Sequence, residues 1–214
     1  MKPDEVYDML KKFLGYGNPY SKYWFIGMEE NWGISCCSDI TQAIKEKDIE
    51  YYSKEVQSLT DNEEICSQFT NRANMGNTFE SGIKRILEKI EKKKIDKILP
   101  DDMFFATNIR FMPVRDDKKI KEFFHKYKED EKDRRKSLFE KWRSNQHNER
   151  ITFCLSKTYK ENFKELFNNE IEFIINKDKR IGAAEYNGKK IYLLDHPSAF
   201  GYFNKCINEL ENIF

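Results

Sequence analysis

Three short stretches of the chain supply side chains that can act together on a polar ligand. Gly27-Met28-Glu29-Glu30-Asn31 brings carboxylates, Thr107-Asn108 an amide, and His196-Pro197-Ser198 an imidazole. A carboxylate can orient a water molecule and stabilise developing positive charge, and an imidazole N–H can stabilise developing negative charge. An amide presents a donor and an acceptor side by side, so it can read the hydrogen-bonding edge of a planar ligand. Of the three histidines, His125 and His147 fall in a highly charged stretch where exposure is the rule, which leaves His196 as the candidate.

Each stretch closes a run that reads as a buried strand, as in KYWFIGM, MFFATNI and KIYLLDH, and ITFCLS reads as a fourth. Helical patterns separate them. The opening PDEVYDMLKKFL has apolar residues at helical spacing (Val6, Met9, Leu10, Phe13, Leu14), and residues 38 to 59 also read as helical. Asn77 or Thr78 can cap a long helix with a Lys-rich second half, NTFESGIKRILEKIEKKKI. Residues 116 to 148 form a charged helical stretch with a basic excess, read as a mixed, solvated surface. KTYKENFKELF and GYFNKCINELENIF complete the set, and EFIINKDKRIGAAEYNG is expected to add a short strand or a hairpin. Strands alternating with helices predict an α/β fold, three-layer α/β/α around a central, mainly parallel four-stranded sheet. In such a sheet ligands gather beyond the carboxyl ends of the strands, where these three stretches lie.

A length of 214 residues predicts a single domain over residues 1–214. The formal net charge of +1 excludes a global positive field, so any face for a polyanion must be local. The five cysteines, Cys36, Cys37, Cys66, Cys154 and Cys206, have neither a disulfide spacing nor that of a zinc ribbon, and read as reduced thiols of a cytoplasmic protein. No metal and no cofactor is expected. Apolar runs such as IYLL are far too short for a membrane span, and no G-x-S-x-G elbow supports an α/β hydrolase.

The order of the motifs carries a resemblance. WFIGMEEN resembles the first motif of the uracil-DNA glycosylase superfamily, in which a strand ends in Gly ahead of a water-positioning residue. LLDHPSAFG is similar to that superfamily's last motif, a strand running into H-P-S. FFATNIRFMPV resembles its middle strand, which delivers a base-reading Asn before a Pro-containing loop. The similar span runs from Lys22 to Phe214. The chain departs from the pattern at Glu29, where the family has Asp or Asn, and at Glu30, where Pro is usual. Iron–sulfur members carry a cysteine where this chain has Arg110, Phe111 and Met112.

The resemblance implies a DNA glycosylase that hydrolyses the N-glycosidic bond of uracil or a related modified or damaged base. It implies Glu29 and His196 as the catalytic pair, the first beneath the sugar and the second aimed at the departing base. It implies base binding by Gly27, Met28, Asn31 and Asn108, with Phe69 as a stacking ring and Ser198 and Phe200 on the DNA. Asn31 falls where a well-known branch has a Tyr that blocks the 5-methyl of thymine, so a 5-substituted uracil is expected to be admitted. The partner is DNA, single-stranded or with its nucleotide flipped out, and the protein is expected to act as a monomer. The alternative is a glycosylase-like module that binds DNA or a nucleotide without cleaving it.

Overall fold

The computed structural model describes Lys11 and residues 15–17, 19–28, 77–95, 104–110, 124–144, 149–175 and 180–214. Aromatic and β-branched runs form strands β1 (Tyr16–Gly17), β2 (Tyr23–Gly27), β3 (Phe104–Asn108), β4 (Ile151–Leu155), β5 (Gly182–Tyr186) and β6 (Lys189–Leu194). They share one sheet in the order β1-β3-β2-β4-β6-β5. β3, β2, β4 and β6 run parallel, and β1 and β5 flank them antiparallel. The four runs read as strands are the four parallel ones. The expected four-stranded sheet is too narrow: β5 makes a fifth strand of full length, and the two-residue β1 extends the other edge.

Both additions have local causes. Asn187 and Gly188, with φ of 50° and 77°, fold the chain in two residues between β5 and β6, the left-handed pair that a tight hairpin needs. A hairpin, not an isolated strand, is therefore formed by the segment left open between the two. At the other edge Gly15 lies so close to β3 that a Cβ would come within 2.5 Å of the Ala106 carbonyl oxygen.

The helices are α1 (Asn77–Ile90), α2 (Phe124–Ser144), α3 (Lys160–Leu166) and α4 (Phe200–Leu210). α1 buries Ile83, Ile86 and Leu87, an i, i+3, i+4 stripe, and stops where Lys92 turns left-handed at φ 51°. The helix expected to run through the Lys-rich tail thus ends before most of it. α2 corrects a second expectation. Its charged stretch is no simple solvated face, because Asp130, Glu131 and Arg134 are buried along with Leu138, Phe139 and Trp142. The reason is pairing: Lys11 meets Asp130 at 2.5 Å and Arg110 meets Glu131 at 3.2 Å, which makes burial of the carboxylates tolerable. Lys11 is the one described residue of the N-terminal helical pattern, and the pattern over residues 38 to 59 lies outside the described residues.

One hydrophobic cluster joins Trp24, Ile26, Met28, Phe105, Cys154, Ile191 and Leu193 of the strand segments to Leu138 and Trp142 of α2 and Phe163 and Leu166 of α3. The alternate residue Phe25 instead stacks on Phe153 at 5.2 Å, which stacks on Tyr192 at 5.8 Å. At the amino end of β4, Arg150 is fully buried, with its guanidinium 5.1 Å from the Trp24 ring and 5.8 Å from the Trp142 ring. No helix among the described residues is long and apolar enough to cross a membrane.

Candidate functional site

Because β3, β2, β4 and β6 are parallel neighbours in that order, their carboxyl ends lie along one edge of the sheet. Asn108 ends β3 and is the register partner of Gly27, which ends β2. The pairing continues past both: Ile109 N–H donates to Gly27 O at 3.0 Å and Arg110 N–H to Met28 O at 2.7 Å. Leu155 ends β4 opposite Leu194 of β6, and Asp195 and His196 follow Leu194. Three strand spacings, about 14 Å, separate the ends carrying Asn108 and His196, a span suited to a ligand of nucleotide size.

Asn108 is held from behind. Its carbonyl oxygen accepts two N–H groups of the buried Arg134, from Nε at 3.2 Å and Nη2 at 3.0 Å. This fork fixes the last peptide of β3 and so the direction in which the Asn108 side chain leaves it. That side chain is half-buried, and no described residue hydrogen-bonds its amide.

His196 is oriented by its own turn. The Ser198 main-chain N–H donates to Nδ1 at 3.1 Å, and Ser198 Oγ lies 2.6 Å from the same nitrogen. A main-chain N–H can only donate, so Nδ1 is the acceptor and the neutral ring carries its proton on Nε2. Pro197 packs on α1 where Gly82 leaves room; a Cβ at Gly82 would lie 2.5 Å from Pro197 Cγ. Just before His196, the Asp195 carboxylate receives Lys157 Nζ at 3.2 Å and Cys206 Sγ at 3.3 Å. Burial, with the Asp195 charge beside it, pushes the Cys206 thiol up to about 11, so it stays protonated and donates.

Between these two groups lies Ser156, at the end of the strand that separates β2 from β6. Its φ of 147° and ψ of 111° belong to a region that residues with a Cβ rarely adopt, and its side chain makes no cap hydrogen bond. Strain of this kind collects at ligand sites, and no residue-type signal in CLSKTY announces it.

Comparison with models of known protein families gives no match, and comparison with curated proteins gives none either.

The sheet edge therefore brings together Gly27, Met28, Asn108, His196 and Ser198 from distant parts of the chain. The Met28 side chain belongs to the hydrophobic cluster, so only its main chain can face a ligand. Ser198 is exposed, but its N–H and hydroxyl both serve His196. Phe200 opens α4, 67 % exposed, with the Arg85 guanidinium 5.5 Å from its ring. Glu29, Asn31 and Phe69 lie outside the described residues. Arg134, Gly82 and the Lys157–Asp195–Cys206 group were missed in the sequence because each matters through a partner far away in the chain, and Ser156 because it matters through its own backbone conformation. Among the described residues, no group of three or more His, Cys, Asp or Glu is placed to hold a metal ion.

Proposed function

We propose that the protein is a DNA N-glycosylase of the uracil-DNA glycosylase type, a single three-layer α/β/α domain that removes uracil or a related modified base. The observation that carries this reading is the sharing of one sheet edge by Asn108 and by His196, whose Nδ1 accepts the Ser198 N–H and so leaves Nε2–H as the donor of the neutral ring. A base leaving DNA develops negative charge on its departing ring nitrogen and on the carbonyl oxygen conjugated with it. A neutral imidazole that presents its N–H to this oxygen stabilises the charge by hydrogen bonding. The Asn108 amide offers an acceptor to a ring N–H and a donor to a carbonyl oxygen, the pattern of uracil and the reverse of cytosine. Main-chain N–H groups after Gly27 hold a second base oxygen. Glu29, two residues past β2 in the sequence, supplies the carboxylate that this reading needs to stabilise an oxocarbenium-like centre and orient the attacking water. The nucleotide enters flipped out or already unpaired. The protein works in the cytoplasm as a monomer.

The test is a panel of oligonucleotides, single-stranded and duplex, carrying uracil, hypoxanthine or 5-hydroxymethyluracil, read as abasic product under single-turnover conditions. The expected result is an abasic product from at least the uracil substrate. In His196→Ala the rate should fall by about 100- to 1,000-fold, with much less loss of binding, since one such donor contributes about 2.7–4 kcal/mol to the transition state alone. Retention of the oligonucleotide with no abasic product from any base favours the non-cleaving module instead.

A further inference from the structure

The amino edge of the sheet, opposite the strand ends that carry Asn108 and His196, holds a cation whose donors the fold leaves incompletely used. Arg150 stands just ahead of β4 and is only 1 % exposed. Its Nη1 donates to the Trp142 carbonyl oxygen, but Nε and Nη2 are buried without a hydrogen-bond partner among the described residues. Burial alone lowers this guanidinium, and no acidic neighbour among the described residues offsets the shift. The Trp24 and Trp142 rings beside it offer π-faces but no acceptor in the guanidinium plane. Nε–H and Nη2–H lie side by side on one edge of that plane, the fork that takes two oxygens of a single oxyanion. Buried donors of this kind call for such a partner, since leaving them unmade is costly.

The surroundings select the charge and size of the ligand. The register that pairs Tyr23 and Lys190 with Ile151 continues one step outward, which puts Lys22 and Lys189 on either side of Arg150, on strands about 4.8 Å apart. Lys189 Nζ lies 4.9 Å from the same Trp142 ring that Arg150 faces, and after burial it is the Arg150 charge that lowers the Lys189 ammonium. Lys22, with Nζ 5.2 Å from the Tyr23 ring, adds a third positive charge to this edge. A carboxylate would neutralise one of these charges, whereas a phosphate dianion neutralises two and still has an oxygen left for an ammonium. The cover over the fork is thin: Glu149, one residue ahead, is exposed, and Lys189 is only half-buried on a flexible stem. Both indoles are buried, so no ring of a ligand can stack on them, and the group bound is small.

We infer that the amino edge of the sheet binds a phosphate dianion, with two oxygens on Nε and Nη2 of Arg150 and a third on Nζ of Lys189. The site lies a strand length, roughly 16 Å, from the candidate catalytic edge and does not depend on the glycosylase reading. Isothermal titration calorimetry of the full chain with inorganic phosphate at about pH 7.5, where the dianion prevails, should give one site per chain. The urea midpoint should rise with millimolar phosphate and stay level in chloride of equal ionic strength. Arg150→Lys keeps the charge but loses the fork, so it should weaken binding by about tenfold and abolish that rise. Lys189→Gln should weaken binding by about 2- to 5-fold. Should the buried Arg150 variant fail to fold, the half-exposed Lys189 variant carries the test. Two sources of the same group are separated by methyl phosphate: binding as tight as that of inorganic phosphate assigns the site to a phosphorylated ligand, and binding of inorganic phosphate alone assigns it to the free ion. Acetate or dimethyl phosphate binding as tightly as inorganic phosphate, phosphate binding that neither variant weakens, or a urea midpoint no higher in phosphate than in chloride would each overturn the inference.

Discussion

The main-chain N–H of Ser198 donates to Nδ1 of His196, so a two-residue turn directs the proton of the neutral imidazole to Nε2. The neighbouring strand end holds the opposite kind of feature, a residue under strain. Ser156 keeps a Cβ at φ 147°, where strain of this kind costs on the order of 1–3 kcal/mol, and the side chain makes no cap hydrogen bond there in exchange. Ser156→Gly removes that strain but adds about 0.5–1 kcal/mol of unfolded-chain entropy, so relief should win by roughly 1 kcal/mol. The urea midpoint of Ser156→Gly is therefore expected to rise at unchanged m value, and that of Ser156→Val to fall. A midpoint that drops in the glycine variant would mean that contacts of the serine outweigh its backbone.

Helix α1 reaches the His196 turn through the absence of a side chain. A Cβ at Gly82 would meet Pro197 at 2.5 and 2.8 Å, whereas one at Gly201 in α4 would meet nothing within 4 Å. Glycine inside a helix normally costs up to about 1 kcal/mol relative to alanine, so Gly201→Ala should stabilise by about that amount. Gly82→Ala should have the opposite sign, destabilising by about 1–3 kcal/mol through overpacking, and should displace Pro197 and the histidine beside it. Thermal unfolding of the two variants side by side checks the pair; a gain in both would show that α1 does not pack closely on the turn. At this scale the sequence was most informative about elements whose signal is local. The four parallel strands were legible because YWFIG, FFAT, ITFCL and IYLL are continuous buried runs, whereas their order along the edge comes from the pairing of β2 with β3 and β4 and of β4 with β6. β5 was left open because GAAEY has little apolar content; its place is set by the turn at Asn187-Gly188 and by pairing with β6. The candidate residues Asn108 and His196 were legible as strand-end types. The groups that aim them, Arg134 and Gly82, were not, since their meaning lies in a carbonyl 26 residues away for Arg134 and in a proline on another element for Gly82.

Across the whole molecule, the interior is arranged so that alkali should undo it. Burial pushes the Cys154 thiol and the Tyr192 phenol up; burial, then the hydrogen bond to Glu91, does the same to the Tyr23 phenol; and Cys206 is pushed up to about 11. A group that loses its proton less readily when folded stabilises the fold fully below its unfolded pKa, and the contribution is lost as pH rises towards the folded value. For thiols the loss starts near pH 8.5, and for phenols near pH 10. The Arg150 guanidinium between the two indoles acts in the opposite sense. Burial lowers it to about 9, so above that pH the unfolded chain binds more protons and stability is regained. Each group contributes at most about 1.4 kcal/mol per pH unit, so between pH 9 and 11 two thiols outweigh one guanidinium, and the phenols add to the loss from pH 10. The urea midpoint in the presence of a thiol reductant should therefore fall steadily over that interval. In a Cys154→Ala, Cys206→Ala variant the midpoint should not fall between pH 9 and 10 but rise slightly, because Arg150, and Lys189 in the same sense, there act against little else. If the wild-type midpoint is flat across this range, the buried thiols are not held protonated by the fold, and the donor that Cys206 offers to Asp195 behind His196 loses its basis.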